Sequence, residues 1–297
     1  MQVPGPFDYE RATGVEHAVG LLERLGEGAR VVAGGHSLLP MMKLRLANPE
    51  YLVDINDLAG ELGYLEVEPT RVRLGALVRH RQALESEELA AVCPIFRDAE
   101  RVIADPVVRN RGTVGGSLCQ ADPAEDLTTV CTVLDATCVI RGPEGTRRIA
   151  MRDFLVGPYE TALAYNELLL GIEIPRRART SSAYAKVERR VGDWAIVAAG
   201  ARVTLARGGT VEDAGIGLTA ANPDTAALLA ASRELVGEEP TETTIAEVGR
   251  RAGAACSPVS DMRGSAEYKR HLATELTMRA VRSAVARARA AGEREGQ

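Results

Sequence analysis

Helical and strand-like hydrophobic spacings alternate along the first half of the chain. In GVEHAVGLLERLGEGAR the apolar positions Ala18, Leu21, Leu22 and Leu25 recur at helical spacing, and Gly26 and Gly28 end the run before ARVVAGG resumes as a strand. YLVDI is a further strand, and GYLEVEPTRVRLGALV holds two short alternating runs around Glu68, Pro69 and Thr70, the pattern of a hairpin. Ser86 to Ala104 reads as helix with a break at Pro94. LTTVCTVLDA is helical, TCVIRG and TRRIAM are strands, and ELLLGIEIP is a nearly continuous apolar run stopped by Pro175, as in a buried strand.

The pattern changes at PRRARTSS, a basic and polar connector without apolar periodicity. Beyond it AYAKVERR, WAIVAAGARVTLARGGTV and AGIGLTAA are strand-like, and after Pro223 the chain turns helical to its end. In the last helix Tyr268, Leu272, Leu276 and Ala280 fall every fourth residue on one face. Strands followed by helices predict a small α+β unit.

At 297 residues the chain has room for two domains, at about 100 to 200 residues each. With 45% hydrophobic and 26% charged residues it is an ordinary globular composition. The net charge of -5, with both signs interspersed, leaves no basic footprint, so nucleic acid is not an expected partner. No run approaches the roughly 18 apolar residues of a membrane helix, and the N-terminus lacks a basic and apolar leader, so no membrane span and a cytoplasmic location are expected. Five scattered cysteines and four histidines without ligand spacing predict no metal centre and no iron-sulfur site in this chain.

Two glycine pairs carry the chemistry. Ala33, Gly34, Gly35, His36 and Ser37 form one motif, and Thr113, Val114, Gly115, Gly116 and Ser117 the other. Paired glycines let backbone N–H groups approach an anion, and a nearby hydroxyl adds a donor. Two such loops suit a pyrophosphate, although each alone is more often only a tight turn, and neither fits the GxGxxG or GxxxxGK[ST] template. His36 is open to roles as base, ligand or positioning residue. Asp122 and Asp126 bracket Pro123 as paired carboxylates, or Asp126 caps the following helix. Arg109 and Arg111 either neutralise a pyrophosphate or lie in a solvated loop. Lys186 to Arg190 reads as a surface ladder of charge along a strand, and Trp194 reads as core.

Taken together, VVAGGHSLLPMMKLRLANPEYLVDI, RNRGTVGGSLCQADPAEDL, ELLLGIEIP and AYAKVERRVGDWAIV, in this order, resemble the FAD-binding medium subunits of molybdenum hydroxylases over nearly the whole chain. The likeness is greatest to the carbon monoxide dehydrogenase type, with the flavin domain of xanthine dehydrogenases more distant. Ser117 stands where xanthine dehydrogenases commonly have Asn, and Gln120 where some relatives have His.

The resemblance implies an α+β fold. A vanillyl-alcohol-oxidase (PCMH) type FAD domain of two subdomains, residues 1–176 divided near 57–60, would be followed by a smaller C-terminal α+β domain, residues 180–290. It implies that both glycine motifs surround the FAD pyrophosphate, that Asp126 bonds the flavin nucleotide, that Leu168 and Leu169 pack beside the isoalloxazine ring, and that Lys186 lies near it. A positive charge there stabilises an anionic reduced flavin.

The implied function is electron transfer in a complex. A large molybdenum-cofactor subunit oxidises substrate, a small 2Fe-2S subunit relays electrons, and FAD on this chain passes them to an external acceptor, with a dimer of heterotrimers as the expected assembly. No catalytic residue is expected on this chain, since the flavin carries the redox chemistry. The alternatives are a flavin-free scaffold subunit and a stand-alone flavin oxidoreductase.

Overall fold

A computed structural model describes residues 3–295. The described residues form two compact units, neither contiguous in sequence: those up to 83, with 105–122 and 136–174, make the first, and 84–104, 123–135 and those from 175 onward the second.

The first unit holds two larger sheets and a short antiparallel pair, Leu155–Gly157 with Glu160–Thr161. Strands β1 (Asp8–Arg11), β2 (Ala29–Val32) and β3 (Tyr51–Asp54) form a parallel sheet in the order β1-β3-β2. The helix Val15–Leu25 crosses from β1 to β2 and buries Ala18, Leu21 and Leu22 against Val53, Ile55 and Leu58. The helical spacing read from the sequence is this buried stripe.

Strands β4 (Leu65–Val67), β5 (Arg71–Gly75), β6 (Thr137–Gly142), β7 (Gly145–Ala150) and β8 (Leu168–Pro175) build the other sheet in the order β4-β5-β8-β6-β7. The β4-β5 pair is the predicted hairpin around Pro69. The apolar run ELLLGIEIP becomes β8, the central strand, as its lack of alternation requires.

In the second unit β9 (Thr180–Val187), β10 (Val197–Leu205) and β11 (Val211–Thr219) form an antiparallel sheet. Every residue of β10 is buried, because helices cover both faces. The helices Glu242–Ala254 and Ala266–Glu295 contribute Ile245, Val248, Leu272 and Leu276 to one core. On the other face, Gly200 of β10 and its cross-strand partner Gly217 of β11 make room for Thr129 and Val133 of the helix Asp126–Val133. Tyr268, expected on the buried stripe of the last helix, is 43% exposed at its first turn.

Among the described residues no helix is long and apolar enough to cross a membrane, and no group of His, Cys, Asp or Glu is arranged to hold a metal ion. Trp194 is 43% exposed, not core as the sequence suggested: it follows β9 in an irregular loop beside the exposed Val191.

Candidate functional site

Both glycine motifs lie in the first unit, each directly after a strand or a helix cap. The first, Ala33 to Ser37, leaves the end of β2 and leads into the short helix Leu38–Lys43. The second opens the helix Val114–Gln120, with Thr113 as its N-cap.

Close packing brings the two loops together. A Cβ on Gly34 would collide with the carbonyl oxygen of Arg111, just before the second motif. A Cβ on Gly115 would lie 2.6 Å from the Ala76 Cβ and 2.7 Å from its carbonyl oxygen. The first glycine of each pair is therefore required by the protein's own backbone.

The donors of the two motifs are not equivalent. In the second, Val114 N–H donates to Val78 O, Gly115 N–H to Ala76 O at 2.9 Å, Ser117 N–H to Thr113 O, and Gly116 N–H to the Thr113 hydroxyl. The Ser117 hydroxyl is 3.1 Å from Nε2 of the buried His80. These backbone donors are spent on the fold, which corrects the expectation that both loops offer free N–H groups. In the first motif the N–H groups of Gly34, Gly35, His36 and Ser37 donate to nothing among the described residues. The exposed His36 turns its Nδ1 back to the Gly34 carbonyl oxygen at 3.0 Å, a positioning contact. The Ser37 side chain is exposed and caps nothing.

A polar relay that sequence reasoning missed supports this loop. Asn56 Nδ2 donates to Ala33 O at 2.8 Å and to Asp54 Oδ1 at 2.7 Å. Arg79 donates to the Asn56 side-chain oxygen at 2.8 Å and to the Arg111 carbonyl oxygen. One guanidinium thus links the Asn56 side chain, which holds Ala33 of the first motif, to the Arg111 carbonyl two residues before the second. Burial and the nearby Arg111 lower the Arg79 pKa. Nothing in its sequence neighbourhood, ALVRH, marks Arg79 out, because its partners come from two other segments.

Leu168 and Leu169 are both buried on β8, and Leu168 packs in the core with Leu58, Leu62 and Leu77.

Asp126 and Lys186 meet in the second unit. Glu125, not Asp126, is the helix N-cap, accepting from Thr128 N–H at 3.0 Å, which corrects the capping assignment. Asp126 begins the helix and turns its carboxylate inward, where Tyr184 Oη donates to Oδ1 at 2.7 Å and Lys186 Nζ to Oδ2 at 2.8 Å. The Tyr184 hydroxyl also lies 2.9 Å from Thr219 Oγ1. Burial raises the Asp126 pKa, while the Lys186 charge and the two hydrogen bonds oppose that rise.

The Lys186 side chain is 2% exposed, so it is no part of a surface ladder. Its ammonium also donates to Val102 O at 3.0 Å and lies 3.6 Å from Glu188 Oε2. That Glu188 oxygen is buried without a hydrogen-bond partner. Two carboxylates therefore match one ammonium, and Lys186 does not present the uncompensated positive charge that the sequence suggested.

Comparison with known proteins decides what this framework belongs to. Residues 5–177 match the family described as the FAD binding domain in molybdopterin dehydrogenase, and residues 182–284 match the CO dehydrogenase flavoprotein C-terminal domain. The chain belongs to this flavoprotein family. It is 42% identical to the carbon monoxide dehydrogenase medium chain of Afipia carboxidovorans, over 97% of this chain and 99% of that one. A solved carbon monoxide dehydrogenase from Hydrogenophaga pseudoflava, which lacks the Mo-pyranopterin moiety of the molybdenum cofactor, superposes with TM-score 0.91 at 38% identity, covering 96% of this chain and 99% of that one. Quinoline 2-oxidoreductase of Pseudomonas putida 86 superposes with TM-score 0.88 at 32% identity, covering 98% and 99%. The α+β architecture predicted from the sequence is the flavoprotein fold of this family.

Proposed function

We propose that this chain is the FAD-binding electron-transfer subunit of a molybdenum hydroxylase, standing between the 2Fe-2S clusters of a small partner subunit and an external acceptor, with substrate oxidation in a large molybdenum-cofactor subunit. The observation that supports it most is the loop Gly34 to Ser37, four consecutive residues whose N–H groups are unused in a chain of this family. Such a nest of donors suits a pyrophosphate. The scattered cysteines agree with clusters held by another chain.

The first motif, Ala33 to Ser37, would hold the pyrophosphate through N–H groups. The second, Thr113 to Ser117, would act as its packed support and offer the Thr113 and Ser117 hydroxyls. Asp126, bonded to Lys186 and Tyr184, is the carboxylate proposed to bond the nucleotide. Leu168 and Leu169 are proposed as apolar wall. Bound FAD supplies the redox chemistry. No side chain of this chain acts as nucleophile or base in the proposal.

The domain division proposed is 1–176 and 180–290, the location cytoplasmic, and the assembly a dimer of heterotrimers. The relatives' names cover substrates as different as carbon monoxide and quinoline, consistent with substrate choice outside this chain.

The test is reconstitution of the purified full chain with FAD and with FMN. Retention of FAD with its oxidised-flavin absorbance, in preference to FMN, is expected. A folded chain that retains neither contradicts the proposal, as does turnover of substrate by the chain alone.

A further inference from the structure

The unused N–H groups of the first motif have cations beside them. Arg79 is partly buried and spends its guanidinium on two neutral oxygens, those of Asn56 and of the Arg111 carbonyl. It forms no ion pair with a carboxylate among the described residues. The Arg111 side chain is exposed and hydrogen-bonds nothing among the described residues, yet it is near enough to depress the Arg79 pKa.

The Arg111 charge opposes that of the partly buried Arg79, and Asp54, the one carboxylate that acts on Arg79, offsets only part of the two effects. Arg79 also touches the carbonyl against which Gly34 packs, so its charge lies against the loop whose donors are free. Asp54, the nearest acid in the relay, is already engaged by Tyr9, by Asn56 N–H and by the Asn56 side chain. The local arrangement is a surplus of positive charge next to a nest of N–H groups, which a compact dianion would balance.

We propose that Arg79 and Arg111 are the cationic half of the pyrophosphate site, Arg79 holding both loops in place while it supplies charge and Arg111 supplying charge from the rim. The proposal rests on the FAD reading above and adds two residues to it.

The test is FAD titration of the full chain at several ionic strengths, for wild type, Arg79→Gln, Arg79→Lys and Arg111→Gln. Loss of one charge-assisted contact weakens FAD binding about tenfold to a hundredfold. The two glutamine variants should show that loss and a flatter dependence on salt, because less charge remains to be screened. Arg79→Lys keeps the charge without the fork, and should keep the wild-type salt dependence. A purely structural clamp predicts the reverse: Lys as damaging as Gln, with salt dependence unchanged in both, and that result overturns the proposal.

If Arg79→Gln does not fold, Arg111→Gln decides, since its side chain has no bond to lose; wild-type affinity and salt dependence in that variant overturn the proposal. Wild type that binds no FAD overturns the underlying reading as well. Wild type that binds FAD, with variants indistinguishable from it, overturns this proposal alone.

Discussion

Lys186 donates to Asp126 at 2.8 Å inside the second unit, joining a strand to the first turn of a helix sixty residues earlier, with both side chains no more than 5% exposed. A buried ion pair of this kind contributes little net stability relative to apolar residues, but removing one partner strands the other.

Lys186→Met is therefore expected to cost about 3–5 kcal/mol, read from urea denaturation. The combined Lys186→Met and Asp126→Leu variant should recover part of that loss, because no charge remains buried. Asp126 already has a raised pKa through burial, and loss of the lysine raises it further. A group whose folded pKa exceeds its unfolded one loses stabilising effect as pH rises through the folded value. The deficit of Lys186→Met should thus be larger at alkaline than at mildly acid pH, and a pH-independent deficit would argue against a charged Asp126 as its cause.

Gly115→Ala places a methyl group against Ala76, whose carbonyl oxygen cannot swing aside as a side chain would. Destabilisation of about 1–3 kcal/mol is expected, together with weaker FAD retention. Denaturation midpoints of the apo chain separate the first effect from the second. Gly60→Ala, in the helix Ala59–Leu62 with nothing near the new methyl group, is the control that should not destabilise the chain and should leave FAD retention unchanged.

Asp54 sets the acid limit of the polar relay. Burial would raise its pKa, but hydrogen bonds from Tyr9 and from Asn56 outweigh that and hold it below the ordinary aspartate value. A depressed carboxyl pKa contributes stability that is present above the unfolded value and lost as pH falls through the folded one. Wild type should lose stability on acidification below about pH 4, and Asp54→Asn should show a flatter profile over that window. Urea midpoints across that pH range measure the difference.

Trp194 is the one tryptophan of the chain and is 43% exposed. In the isolated chain its fluorescence should be red-shifted and readily quenched by iodide. A blue-shifted, iodide-resistant emission would show it covered.

Much of the fold follows from local pattern. The stripe of the Val15–Leu25 helix, the hairpin at Pro69 and the unbroken apolar run of β8 each need only the spacing of neighbouring residues, because burial on one face or on both writes a period into the chain. The two glycine motifs were likewise visible, since a tight approach of backbones leaves glycine as its trace.

What the chain's order could not express is pairing across distance. The sequence made both glycine motifs alike, whereas packing spends the amides of one on Ala76, Val78 and Thr113 and leaves those of the other unused. It made Lys186 a surface charge and left Asp126 open between a paired carboxylate and a cap, until a strand and a helix brought the two together and Glu125 took the capping role. Arg79 and Asn56 had no signature at all. Hydrophobic period and glycine are local constraints and survive in one dimension; the partner of a buried charge is chosen by the tertiary structure, which alone decides what surrounds it and which hydrogen bonds are left to make.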